Sequence, residues 1–163
     1  MNGSKRYAVP AKYFKRLAPF AFLLGVVFSF PWVSIAAQPP RILALGDSLT
    51  AGYGLDTDDG FPSQLQRKLI AMGFAARVLN GGVSGDTSAG GLARLDWALA
   101  DRPSHAIIEL GANDGLRGLD PVAMRANLDA IIRRLQSANI AVLLTGMRAP
   151  PNLGHSYESA FNK

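Results

Sequence analysis

The hydrophobic pattern of the chain repeats one theme. A short apolar run stops abruptly at polar, turn-forming residues, and an amphipathic stretch follows before the next run. Ile42-Leu-Ala-Leu45 ends at Gly46-Asp47-Ser48. Four apolar residues in a row bounded by a turn read as a buried strand, with Gly46 permitting the change of direction. Residues 75–80, 105–110 and 140–145 read as three further strands by the same signal. In residues 61–73 Leu65, Leu69 and Met72 recur at helical spacing, with Pro62 in the first turn and Gly73 at the cap, which predicts a surface-packed crossover helix. Residues 81–91, dense in Gly, Ser and Asp, predict a loop leading into a helix that carries Leu92, Leu95 and Leu99. Residues 111–115 predict another loop. Pro121 opens a helix whose Met124, Leu128, Ile131, Ile132 and Leu135 form one stripe, with Arg133 and Arg134 near the carboxyl end, where the dipole favours them. Beyond Gly146 the pattern gives a loop and the first turn of a helix.

Strands alternating with helices at this spacing predict βαβ units, hence an α/β fold with a parallel sheet and helices on both faces. In such a sheet the turns that follow the strands share one edge, so Ser48, the 81–91 loop and the 111–115 loop converge there.

Composition changes the picture at one end only. The 163 residues are 48% hydrophobic and 18% charged, ordinary for a globular chain. The net charge of +5 suggests nucleic acid until its location is read. Lys5, Arg6, Lys12, Lys15 and Arg16 account for the whole excess, and residues 1–36 hold no acid, so the rest of the chain is neutral and the nucleic-acid reading loses its support. That basic stretch, an apolar run over residues 17–35 and the small-residue exit Ser34-Ile-Ala-Ala37 have the layout of a secretory signal peptide over residues 1–36, cleaved after Ala36 or Ala37. An uncleaved membrane anchor is the alternative, disfavoured by Pro19, Pro31 and the small exit. Cleavage leaves no stable membrane span and places residues 37–163 in the periplasm or medium. With no cysteine in the chain, disulfides and thiolate metal sites are excluded.

Chemistry gathers at the shared edge. A serine hydroxyl becomes a useful nucleophile when a base takes its proton and donors await the oxyanion. Gly85 can bring its backbone N–H close to a ligand, and Asn113 carries a side-chain amide able to donate to a developing negative oxygen. With the N–H of Ser48 these make three donors around one tetrahedral oxyanion, the geometry of acyl transfer. Gly-Asp-Ser-Leu-Thr is not the Gly-x-Ser-x-Gly elbow of α/β-hydrolases, because Thr50 stands where that turn needs glycine.

Three blocks, Gly46-Asp-Ser-Leu-Thr-Ala-Gly-Tyr53, Asn80-Gly-Gly-Val-Ser-Gly-Asp-Thr-Ser88 and Glu109-Leu-Gly-Ala-Asn-Asp-Gly-Leu-Arg-Gly118, resemble in order the motifs of the SGNH, or GDSL, hydrolases. Within that family the branch most resembled is the secreted bacterial thioesterase I, lysophospholipase L1 and arylesterase group. The resemblance covers about residues 40–161. It implies a flavodoxin-like three-layer sandwich and an ester or thioester hydrolase with Ser48 as nucleophile. Gly85 and Asn113 would complete the oxyanion hole, and Asp47 and Asp114 would hold turns. It implies no cofactor and no metal, and a small acyl ester, thioester or lysophospholipid as substrate. The family's fourth block, an Asp-x-x-His that supplies the base and its orienting acid, does not occur in these residues. The expected domain is therefore incomplete at its carboxyl end, lacking a last strand and helix, and an inactive fragment or acyl-ligand-binding remnant is the alternative function. Exposure of the fourth strand and its neighbouring helix stripe is expected to follow. Neither histidine is expected to replace the base: His105 begins a strand at the amino edge, and His155 lies in a loop.

The remaining features have plain readings. Asp56-Thr-Asp-Asp-Gly60 is a solvated turn without calcium-loop spacing. Arg67, Lys68, Arg133 and Arg134 are solvated helix faces. Tyr53, Phe61, Met72 and Trp97 are expected in the core or a pocket wall, and Arg117 could meet an anionic head group.

Overall fold

A computed structural model describes residues 38–163 of the chain. The expected signal peptide lies outside the described residues. Four parallel strands, β1 (Arg41–Gly46), β2 (Arg77–Gly82), β3 (His105–Glu109) and β4 (Ala141–Leu144), form one sheet in the order β2-β1-β3-β4. Each strand falls within one or two residues of its apolar run.

The helices are α1 (Ser48–Ala51), α2 (Phe61–Ala71), α3 (Ser88–Ala93), α4 (Leu95–Ala98), α5 (Ala112–Leu116), α6 (Pro121–Ser137) and α7 (His155–Phe161), with a 3-10 turn at Pro151–Leu153. The β1-to-β2 crossover runs in the opposite direction along the sheet from the β2-to-β3 and β3-to-β4 crossovers. Right-handed connection therefore puts α2 on one face and α3, α4 and α6 on the other.

Strand register sorts the side chains. Leu43, Ala106 and Val142 stand in one row and Leu45, Ile108 and Leu144 in the next row of the same face. Leu43, Leu45, Ala106 and Ile108 are each at most 2% exposed, packed with Leu95 of α4 and Ile131 and Leu135 of α6. The opposite face carries Ala44, Ile107 and Leu143 in one row, then Gly46 beside Glu109. Ala44 is buried and Ile107 half-buried, while Leu143 on edge strand β4 is 60% exposed. The expected exposure of the fourth strand is therefore present among the described residues. A cleft of about 700 Å³ continues it, lined by Leu128 and Ile132 of α6, Leu144 and Phe161.

Several local expectations are corrected. The 81–91 loop is shorter than expected: β2 takes in Gly81 and Gly82, and α3 starts at Ser88, where Thr87 caps it by accepting from the Gly90 N–H at 3.2 Å. Gly91 sits inside that helix because Leu110 occupies the space a Cβ would need. Residues 111–115 form most of α5 rather than a loop. The 92–99 helix is broken at Arg94 into two short pieces. Trp97 is 72% exposed, and Tyr53, Phe61 and Met72 are exposed as well, so none of the four belongs to the core. Arg133 and Arg134 lie on solvated faces as expected, paired with Asp129 and Asp96.

Candidate active site

Ser48 is the first residue of α1, two positions beyond the end of β1. Asp47 makes the turn: its backbone leaves the strand conformation, and its Oδ1 accepts from the Leu49 N–H at 3.0 Å. The sharp bend does not use a positive φ at Gly46. Gly46 is needed for space, since a Cβ there would lie 2.7 Å from the Glu109 carboxylate. As in any helix, N–H groups of the first turn lack an intrahelical partner, and the Ser48 N–H makes no hydrogen bond within the described residues.

Gly85 occupies the turn of residues 83–86, closed by Asp86 N–H donating to the Val83 carbonyl at 3.1 Å. Its φ of +84° is a conformation that favours glycine. The guanidinium of Arg117 donates to the Gly85 carbonyl at 2.7 Å, so this side chain is tied across to the glycine turn.

Asn113, in α5, joins the two turns. Its Nδ2 donates to Asp47 Oδ2 at 3.0 Å and to the Asp86 carbonyl at 2.9 Å. Both partners are pure acceptors, which fixes the orientation of the amide, and both of its hydrogens are engaged. Asn113 thus touches the immediate neighbours of Ser48 and of Gly85, and the three residues singled out by sequence meet at one edge.

Buried polar contacts hold these turns from behind. Asp114 accepts from the Ser88 N–H at 2.8 Å and the Ser88 hydroxyl at 2.6 Å, and the Ser88 hydroxyl accepts from Asn127 Nδ2 at 3.1 Å, so α5, α3 and α6 are locked together. Asp47 holds its turn as expected, whereas Asp114 lies within α5 and ties that helix to the start of α3. Arg94 pairs with Asp86 at 2.5 Å and donates to the Gly46 carbonyl at 3.0 Å, linking the glycine turn to the end of β1. Glu109 Oε2 accepts from the Thr50 hydroxyl at 2.9 Å, with the Asp47 N–H at 3.4 Å. Burial, opposed in part by the Thr50 hydrogen bond, pushes the Glu109 carboxyl above its ordinary value, and the nearby Asp47 carboxylate adds to the rise.

Sequence reasoning missed Glu109, Thr50 and Arg94. The available signal was a glutamate inside the otherwise apolar run Ala106-Ile-Ile-Glu-Leu110, where a charge needs partners.

Neither histidine hydrogen-bonds Ser48 among the described residues, and His155, expected in a loop, is the first residue of α7. His105 opens β3, opposite Ile42 at the amino end of the sheet, and its Nδ1 is 2.9 Å from the Ser104 hydroxyl. His155 is exposed at the start of α7. The Ser48 hydroxyl makes no hydrogen bond within the described residues, so no base contacts it there.

A parallel α/β sheet with Ser48 opening a short helix directly after β1, and the Gly85 turn and Asn113 drawn to the same edge, accords with the expected SGNH hydrolase fold. Comparison with known proteins agrees. The GDSL-like Lipase/Acylhydrolase family model matches residues 44–163, and the chain belongs to that family. It is 42% identical over 144 residues to esterase TesA of Pseudomonas aeruginosa, covering 88% of this chain and 72% of that protein. It is 39% identical over 145 residues to thioesterase 1/protease 1/lysophospholipase L1 of Escherichia coli K12, again 88% of this chain but 65% of that protein. Among solved structures, the SGNH-hydrolase family esterase AlinE4 superposes with a TM-score of 0.73 at 51% identity, covering 76% of this chain and 67% of that one. The chain thus spans roughly two thirds of the length of these relatives.

Proposed function

We propose that this protein is an exported serine ester hydrolase of arylesterase, thioesterase or lysophospholipase type, with Ser48 as the nucleophile. The Ser48 oxygen attacks the acyl carbon, the alcohol or thiol leaves, and water then releases the acid from the acyl-enzyme. The N–H groups of Ser48 and Gly85 and the Asn113 amide surround the oxyanion. The observation that carries this reading is the Asn113 amide bridging Asp47 and Asp86, which draws the serine and glycine turns to one point. Residues 37–163 form the hydrolase domain, and the leader in residues 1–36 directs export to the periplasm or medium. The substrate is a small acyl ester, thioester or lysophospholipid.

A second reading, acyl-ligand binding without turnover, is favoured by one observation: His105 lies at the amino end of the sheet, and no side chain hydrogen-bonds the Ser48 hydroxyl among the described residues. The full chain treated with a serine-reactive fluorophosphonate separates the two. A single adduct seen by intact mass, lost in Ser48→Ala and kept in His105→Ala and His155→Ala, together with hydrolysis of p-nitrophenyl butyrate, is the expected result. Binding of a fatty acid with neither adduct nor hydrolysis supports the second reading. An adduct that persists in Ser48→Ala sinks the first.

A further inference from the structure

We propose that Glu109 is a positioning residue that clamps the turn on both sides of Ser48, through the Asp47 backbone N–H and the Thr50 hydroxyl. One carboxylate oxygen, Oε2, meets the N–H of the residue before the serine and the hydroxyl of the residue two after it, at 3.4 and 2.9 Å. A single atom fixed to a neighbouring strand therefore spans the turn that presents Ser48. The strand supplies the rigidity, because Glu109 pairs directly with Gly46 in the ladder. The approach is possible only because Gly46 has no side chain: a Cβ there would stand 2.7 Å from both the Glu109 backbone oxygen and its carboxylate. The second oxygen, Oε1, is buried and has no hydrogen-bond partner among the described residues. An ionised acceptor makes roughly twice the bond of a neutral one, which suits a clamp that must not slip. The groups around it are the Asp47 carboxylate, which opposes ionisation, and the Thr50 hydroxyl, which favours it. That the clamped residue is a nucleophile rests on the function proposed above; the clamp itself does not.

Hydrogen exchange of the full chain, followed by mass spectrometry on a peptide covering residues 46–53, tests the clamp without needing catalysis. Glu109→Ala is expected to speed exchange of these amides about tenfold or more, as loss of a hydrogen bond to a charged group implies, while peptides from α6 keep their protection. Glu109→Gln, which retains an acceptor oxygen, is expected to restore protection at neutral pH. If Glu109→Ala does not fold, Thr50→Val against Thr50→Ser carries the same test, since serine keeps the hydroxyl. Unchanged exchange at 46–53, or exchange raised uniformly through the chain, overturns the proposal. Absence of phosphonate labelling with this protection pattern intact would remove the hydrolase reading and leave the clamp standing.

Discussion

The two faces of the sheet are built on different principles. The face under α3, α4 and α6 is apolar throughout its middle, where Leu43, Leu45, Ala106 and Ile108 are closed to solvent, and it opens only at β4, where Leu144 is 46% exposed. The other face thins toward β4, where Leu143 stands open, and at its carboxyl end it becomes polar, with Glu109 reaching Thr50 and the Asp47 N–H across Gly46. The first face supplies cohesion, and the second supplies orientation to the serine turn. Stability and site geometry should therefore respond to different substitutions.

The largest effect is expected on the closed face. Ile131→Ala, at a fully buried position, should lower unfolding free energy by about 2–5 kcal/mol in urea titration. A loss under about 1 kcal/mol would mean that this face is not the main source of stability. Next, Asp114→Ala strips the buried Ser88 N–H and hydroxyl of their acceptor and should cost about 1–3 kcal/mol. Its melting temperature should fall accordingly, with Asp114→Asn falling less. On the open face Leu143→Ala should change stability by no more than about 0.5 kcal/mol. Leu143→Lys should reduce self-association of the full chain in sedimentation velocity, because a charge on an edge strand blocks further pairing. Equal association of wild type and Leu143→Lys would show that the exposed edge is inert.

The smallest effect is a pH dependence. A carboxyl held above its ordinary value binds its proton more tightly in the folded state than in the unfolded one. Its contribution is therefore complete below the ordinary value of 4.5 and is lost as pH rises through the folded-state titration. Glu109→Gln should flatten that part of the stability curve, and a curve identical to wild type would deny the carboxyl its buried character.

The fold was legible because apolar runs and helical stripes are local signals. β1 and the Met124, Ile131 and Leu135 stripe of α6 followed directly from spacing. The serine, glycine and asparagine could be placed together because parallel strands send their following turns to one edge. What stayed hidden depends on distant partners. Gly91 reads as loop until Leu110 is seen filling the space beside it. Trp97 reads as core until α4 is known to turn it outward. Glu109 and Thr50 are 59 residues apart, and nothing in the spacing of either announces their bond. Asn113 was legible as a donor, but the two acceptors that occupy it were not.

That occupied amide bears on selectivity in time rather than in space. A resting Asn113 gives one hydrogen to a carboxylate and the other to a peptide carbonyl. The carbonyl oxygen of an ester is neutral and a weaker acceptor than a carboxylate, so it has little power to draw the amide away as substrate arrives. An alkoxide carries a full charge and competes on equal terms. In the proposed reaction the third donor would then be withheld from the bound substrate and released to the tetrahedral species. Its contribution would fall on the rate of turnover and leave ground-state affinity nearly untouched.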